Sequence, residues 1–208
     1  SAAAIYADLL FYDGENVIYG DFTINGGVIE ATGGQYGIST DGDLIINNGS
    51  VTATGDDNGI YASGCNVTIN GGTINATGDN YGIGGGTITI SSGTVNATGG
   101  NYNGIYAYQD LIINGGTIEA HGKSDGISCN EGNITISGGN VTADCTANNS
   151  SGIFCSEGDI TISGGSVYAT GKKAGIDADN DLIISDGYIE ATGNDYGILA
   201  SLDITISG

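Results

Sequence analysis

The stretch Asp181–Ala200 reads DLIISDGYIEATGNDYGILA, and it holds three short apolar alternations separated by two glycine-containing turns. Copies of this pattern fill most of the chain. One isoleucine of each opening strand recurs at intervals of 21 to 26 residues, at Ile24, Ile46, Ile69, Ile90, Ile113, Ile136, Ile162, Ile184 and Ile206. A nearly constant period of this length, with apolar residues alternating inside each copy, predicts a stacked repeat architecture.

The alternation inside each copy indicates which residues face the interior. Successive residues of a strand point to opposite sides, so each copy supplies three apolar pairs, which in the quoted stretch are Leu182 and Ile184, Ile189 and Ala191, and Ile198 and Ala200. The pattern predicts an all-β fold, a parallel β-helix (β-solenoid) of about eight coils with three short strands per coil. The pattern does not encode the hand of the coil, and right-handed coils are the expectation. Residues 21–208 are predicted to form these repeats. Residues 1–20 match imperfectly and are predicted to form an irregular, tapered coil that caps the N-terminal end.

Composition narrows the classes of partner. The 208 residues include 40 glycines and no proline, and 24 acidic residues face only three lysines, which gives a formal net charge of -21. Nucleic acid is therefore excluded as a partner, since binding it requires several cationic contacts. No apolar run reaches the roughly 18 residues of a membrane span, which predicts no membrane insertion.

Two of the four cysteines fall in the same inward column of adjacent coils. Cys129 and Cys155 would lie within reach of a disulfide, but small buried thiols fit the same positions equally well. Both alternatives stay open from the sequence.

The corner before the first strand of each coil carries a column of acids, with a second acid two positions earlier in several coils. Stacked carboxylates about 5 Å apart repel each other unless they are protonated, separated by water or bridged by a hard cation such as calcium. The candidate calcium ligands are Asp41, Asp43, Glu157, Asp159, Asp179, Asp181 and Asp203. The alternative is a structural column in which each acid caps turn amides.

Aromatic residues gather on the outward side of the third strand. The candidate carbohydrate-binding residues are Tyr61, Tyr106 and Phe154 in one column, with Tyr108 beside it. An exposed tyrosine combines a flat apolar face with a hydroxyl, which suits a sugar ring, and the alternative is cross-strand packing of the aromatics. A catalytic role is not predicted, because stacked acids alone do not provide a general acid and a general base with separated pKa values.

The motifs GIYA at 59–62 and 104–107 and DLIINGGTIEA at 110–120 resemble the repeats of bacterial carbohydrate-binding β-helix proteins and of related repeat-rich cell-surface adhesins. The resemblance covers residues 21–208. It implies an extracellular or cell-surface, non-catalytic module, structural or adhesive, that binds a polysaccharide or cell-surface glycan. It also implies stabilising calcium between coils, at the Asp-rich corner. Because the chain has few cations, neutral glycans or calcium-bridged acidic glycans are the consistent ligands.

A second hypothesis is a filament. The sequence begins and ends inside a repeat, which is expected either of a piece of a longer array or of a subunit that stacks head to tail into a homo-oligomer. In the second case Ile204 and Ile206 at one end would contact Leu9, Phe11 and Ile18 at the other end of a neighbour.

Overall fold

A computed structural model describes residues 20–208 in full and, before them, the backbone of three short strands, Ile5–Ala7, Leu9–Tyr12 and Val17–Tyr19. The described residues form 26 strands and no helix. Within this part of the chain, accordingly, no helix is long and apolar enough to cross a membrane.

The third strands of successive coils form a nine-stranded parallel sheet. In order along the sheet these strands are β1 (Ile5–Ala7), β6 (Tyr36–Thr40), β9 (Asn58–Ala62), β12 (Tyr81–Gly85), β15 (Ile105–Ala107), β18 (Ile127–Cys129), β21 (Ile153–Cys155), β23 (Ala174–Ala178) and β25 (Tyr196–Ala200).

The first and second strands of the coils form a 15-stranded sheet. The first strands are β4 (Phe22–Ile24), β7 (Leu44–Ile46), β10 (Val67–Ile69), β13 (Ile88–Ile90), β16 (Leu111–Ile113), β19 (Ile134–Ile136) and β26 (Ile204–Ile206), and the second strands are β5 (Val28–Gly33), β8 (Ser50–Gly55), β11 (Thr73–Gly78), β14 (Thr94–Gly99), β17 (Thr117–Gly122) and β20 (Asn140–Cys145). The two columns merge in β22 (Ile160–Thr170) and β24 (Leu182–Thr192), because each of these long strands serves as first and second strand of its coil.

The predicted fold is confirmed: the chain is a parallel β-solenoid of about eight coils. Within residues 20–208 each strand pairs in parallel with the equivalent strand of a neighbouring coil, so the same position of each repeat stacks in one column. The predicted inward residues fill the interior, and Ile60, Leu111 and Ile160, for example, are fully buried. Burial of each such side chain contributes about 1.5–3 kcal/mol, and this interior fixes which side chains face outward.

The turn after the first strand reads Asn-Gly-Gly or Ser-Gly-Gly in several coils, for example at residues 70–72 and 137–139. Its second glycine has positive φ, for example 92° at Gly72, a conformation that only glycine adopts without strain. The amide of Asn70 donates to the Oδ1 of Asn47 at 2.9 Å, so this corner is a ladder of side chains that joins neighbouring coils.

At the N-terminal end, β1 extends the nine-stranded sheet beside β6. The strands β2 (Leu9–Tyr12) and β3 (Val17–Tyr19) form an antiparallel pair, which places Phe11 opposite Ile18. The side chains of Leu9, Phe11 and Ile18 lie outside the described part of the structure. At the other end, Ile204 and Ile206 of β26 are 48% and 64% exposed. End-to-end assembly through these residues stays a prediction.

The cysteines of the inward column stack as the sequence indicated. Cys129 and Cys155 are register partners in β18 and β21. Both are buried free thiols, and Cys155 Sγ donates to the carbonyl of Gly132 at 3.2 Å. They therefore act as small core residues here.

Candidate functional site

The outward column of the nine-stranded sheet carries the predicted aromatic residues. Tyr61, Tyr106 and Phe154 occupy equivalent positions of β9, β15 and β21. Gly84 stands between Tyr61 and Tyr106 in this column, and Ser128 stands between Tyr106 and Phe154. Since neighbouring coils are about 4.8 Å apart, successive aromatic residues of this column stand two coils, or about 10 Å, apart, with one non-aromatic residue between them.

Tyrosines of a neighbouring column lean against these rings. Tyr36 stacks on Tyr61 with ring centroids 5.5 Å apart, and Tyr81 stacks on Tyr106 at 4.7 Å with 9° between the ring planes. Cross-strand aromatic packing, the alternative that the sequence left open, is therefore present. Stacked pairs of this kind also make rigid walls with a fixed aromatic surface.

Between these walls lies a groove of about 360 Å³, which we call the tyrosine groove. Tyr61, Tyr81, Tyr106 and Tyr108 line it together with glycine backbone. Gly84 lies beside the groove, where an added Cβ would be 3.0 Å from the ring of Tyr61 and 3.3 Å from that of Tyr81. A side chain at this position would push these two rings aside, so glycine lets them take the positions that form the groove.

The phenol groups of Tyr81, Tyr106 and Tyr108 stay protonated at neutral pH. Burial raises the pKa of Tyr81 and of Tyr106 above the ordinary tyrosine value. Tyr108 is 45% exposed, and its hydroxyl donates to the carboxylate of Glu131, which raises the pKa of Tyr108 as well. The groove thus offers flat apolar faces with neutral hydroxyls at their edges, a combination suited to sugar rings.

The structure brings together three of the four predicted carbohydrate-binding residues. Tyr61, Tyr106 and Tyr108 line the tyrosine groove, whereas Phe154 lines a separate cavity further along the rod. Tyr81 belongs to the groove but was not among the candidates. The sequence signal that could have identified Tyr81 is its position three residues before Gly84, because the missing side chain of Gly84 lets the ring of Tyr81 turn toward the groove.

The separate cavity has a volume of about 200 Å³, and we call it the aspartate pocket. Besides Phe154 it is lined by Asp125, Ser151, Lys173 and Asp177. Asp177 is buried, and its Oδ2 accepts hydrogen bonds from Lys173 Nζ at 2.7 Å and Ser151 Oγ at 3.1 Å. Asp125 accepts a hydrogen bond from the backbone N–H of Ser151 at 2.9 Å. Desolvation raises the pKa of Asp125 to about 6.

The acid corner is organised by backbone hydrogen bonds between coils. Asp43 Oδ1 accepts from the backbone N–H of Asn66 at 2.9 Å, and Asp181 Oδ1 accepts from that of Asp203 at 3.0 Å. The same contact joins Asp159 to Asp181 at 3.1 Å. Each acid therefore caps the equivalent residue of the next coil, which gives the column a structural role that needs no metal ion.

The remaining candidate ligands at this corner are Asp41, Glu157 and Asp179. No group of three or more His, Cys, Asp or Glu side chains that could hold one metal ion occurs in the described ranges. The acids thus lie along the rod and do not form a preformed cluster, and calcium binding by them stays a prediction.

If calcium bridges outward carboxylate oxygens of successive coils, it should raise the melting temperature. One calcium site, with free calcium at a hundredfold excess over the dissociation constant, would add about 2.7 kcal/mol to the free energy of unfolding. Thermal melts in calcium and in EDTA at equal, low ionic strength measure this, with magnesium as the control for general screening. Superimposable curves would assign these acids to backbone capping alone.

Comparisons with known proteins agree with this architecture. A family model described as carbohydrate-binding domain-containing protein matches residues 86–204, more than half of the chain. A model of the beta helix repeat matches residues 22–42, 44–66 and 67–87. No curated protein and no solved structure matches the chain. The chain therefore belongs to the family of carbohydrate-binding domain-containing proteins, and its fold is a parallel β-helix.

Proposed function

We propose that the protein is a non-catalytic module that binds a polysaccharide along the tyrosine groove. The observation that carries this proposal is the pair of stacked aromatic walls, Tyr36 with Tyr61 and Tyr81 with Tyr106, on either side of Gly84. A sugar ring placed between them would meet apolar faces and phenol hydroxyls at once. The family match to carbohydrate-binding proteins supports a saccharide as the ligand.

The chemistry of the groove favours binding over catalysis. The residues that line it are tyrosines and glycines, and none of these six lining residues is a carboxylic acid or a histidine. Hydrolysis of a glycosidic bond normally uses two carboxyl groups that flank it. The net charge of -21 opposes an acidic polysaccharide, so a neutral glycan is the proposed ligand.

Retention on insoluble cellulose, chitin and β-1,3-glucan tests the groove directly. We expect at least one of these polymers to retain the protein and Tyr106→Ala to weaken retention at least fivefold, which corresponds to roughly 1 kcal/mol. A second variant, Gly84→Leu, displaces the rings of Tyr61 and Tyr81 while it removes no aromatic ring, and it should weaken retention as strongly. Circular-dichroism melts would verify that both variants remain folded.

The matched control is Tyr196→Ala. Tyr196 is 50% exposed and shares the turn position of Tyr81, but it lies several coils away from the groove. Its removal should leave retention unchanged. Equal loss in the Tyr196 and Tyr106 variants would contradict a defined groove, and no retention of the parent protein on any polymer would contradict the proposed function.

The proposed function includes a location and a role for the module. We propose an extracellular or cell-surface location and an adhesive or structural role, which the polysaccharide ligand and the strongly acidic composition support. Calcium stabilisation and head-to-tail assembly into a filament are the accompanying proposals.

A further inference from the structure

Two acids of the aspartate pocket stand where other coils carry neutral residues. Asp177 occupies the outward column of Tyr61, Tyr106 and Phe154. Asp125 occupies the column in which Asn103 accepts a hydrogen bond from the backbone N–H of the next coil, at 3.0 Å. An asparagine would make the same contact without the cost of burying a charge. Two buried acids side by side are therefore not explained by the fold.

The hydrogen bonds of Asp177 are incomplete. Its side chain is only 2% exposed, and while Oδ2 accepts two hydrogen bonds, the buried Oδ1 has no partner among the described residues. A buried acceptor without a donor destabilises the folded state, most of all when it is charged. A turn of the Asp177 carboxylate toward the pocket would let a ligand donate to this oxygen and remove the destabilisation.

Lys173 places a hydrogen-bond donor beside the acceptor oxygens of Asp177. Its side chain is 35% exposed, and its ammonium uses one of three N–H groups in the bond to Asp177. A carboxylate that accepts and an ammonium that donates, side by side, match neighbouring hydroxyl groups, because each hydroxyl can do both. The ring of Phe154 adds an apolar wall to the same cavity.

The volume of the aspartate pocket and the charges of its side chains restrict the class of ligand further. The cavity of about 200 Å³ is smaller than the roughly 300–1,000 Å³ of pockets for drug-sized molecules, so it holds one ring and not an extended chain. Lys173 balances the charge of Asp177, and Asp125 adds further negative charge. An anionic sugar would therefore be repelled, whereas a neutral one would not.

We propose that the aspartate pocket is a second saccharide site, which binds one neutral sugar unit through Asp177 and Lys173 with the ring against Phe154. This inference rests on the proposed function, because it assigns a further contact to the same class of ligand. The loop 146–152, which is three residues longer than the corresponding loop 123–126 of the preceding coil, forms one side of the site. Asn149 in this loop has a φ of 62°, so its backbone takes a turn that few residues other than glycine adopt.

Titration of isotope-labelled protein with single sugars tests the pocket separately from the groove. Glucose, galactose, mannose and N-acetylglucosamine are the probes, with glucuronate as the charged comparison. We expect at least one neutral sugar to shift the backbone amide signals of Ser151 and Lys173 with a millimolar dissociation constant, and glucuronate to leave them unchanged. Asp177→Asn, which keeps the shape of the side chain, should weaken this binding at least tenfold.

The control is Tyr106→Ala, which removes a wall of the tyrosine groove and should leave the shifts of Ser151 and Lys173 intact. Neutral sugars that shift no pocket signal in the parent protein would overturn the inference, even if a polysaccharide is retained. Shifts confined to groove residues would overturn it too. Pocket shifts without retention on any polymer would contradict the groove and support the pocket as the sugar site.

Discussion

Asp125→Asn is expected to stabilise the solenoid at pH 7.5 by about 2–3 kcal/mol, since burial raises the pKa of Asp125 from 3.8 to about 6 and each pKa unit corresponds to about 1.4 kcal/mol. For a domain of this size the melting temperature should rise by roughly 4–12 °C. The acceptor contact to the N–H of Ser151 would persist, because an asparagine oxygen can take the place of the carboxylate oxygen, as it does at Asn103.

The pH dependence follows from the direction of the shift. The folded state holds the proton of Asp125 more tightly than the unfolded state, so the cost of its charge is absent below about pH 4, grows as the pH rises, and is complete above about pH 6. The gain from Asp125→Asn should follow the same course. Of the charged neighbours, Asp177 raises this pKa and Lys173 lowers it, so neither alone accounts for the shift.

Melts of the parent and of Asp125→Asn between pH 4 and pH 8 measure this difference, and titrations common to both proteins cancel. Asn103→Asp is the matched control, because it places a new acid at the same position of the preceding coil and should lower the melting temperature at pH 7.5. A lower melting temperature of Asp125→Asn at pH 7.5 would contradict the argument. The carboxylate would then stabilise the fold, and its cost would no longer point to a ligand.

The core was predictable because its signal repeats. Each inward position has a period of two within the strand and recurs in every coil, so the burial of Ile60 or Leu111 follows from the pattern alone. The outward columns follow from the same register. The direction in which an outward ring leans could not be predicted in this way. Tyr81 stacks on Tyr106 beside Gly84, whose lack of a side chain leaves room for the ring and which belongs to the column of Tyr106 and not to that of Tyr81.

The column of acids shows a second limit of prediction from the sequence. A column of Asp residues has the same composition whether it caps backbone amides or binds calcium, and only the 2.9 Å contact from the N–H of Asn66 to Asp43 shows the capping. Asp177 could have been noticed from its departure from the pattern, since GIDA at 175–178 replaces GIYA of earlier coils. Its meeting with Asp125 depends on Ser151, which contacts both.

The glycine that ends most of the second strands is a further residue whose physical reason is visible only in the structure. Gly55, Gly78, Gly99 and Gly122 share one column, and the positive φ of the Asn-Gly-Gly turns does not apply to them. A Cβ at any of them would come closer than 3.0 Å to backbone carbonyl oxygen of the following turn. Glycine is required here because the turn folds back onto the strand.

Gly122→Ala should therefore destabilise the protein by about 3 kcal/mol or more, the upper range for an overpacked core, and lower the melting temperature by roughly 6–12 °C. The atoms that its Cβ would meet are the carbonyl groups of Asp125 and Tyr102, both backbone, so no side chain can move aside. Cys145 follows Gly122 in the same column and carries a Cβ. Its loop, 146–152, is longer by three residues, so the chain need not turn back as tightly.

Gly26→Ala is the control for the loss of a glycine as such. Gly26 lies in an exposed turn, nothing lies within 4 Å of an added Cβ, and its φ is not in the left-handed region, so the change should stay within about 0.5 kcal/mol of the parent. Thermal melts of the two variants make the comparison. If Gly122→Ala melts together with Gly26→Ala, the turn can open without cost, and the close backbone approach does not hold the coils in register.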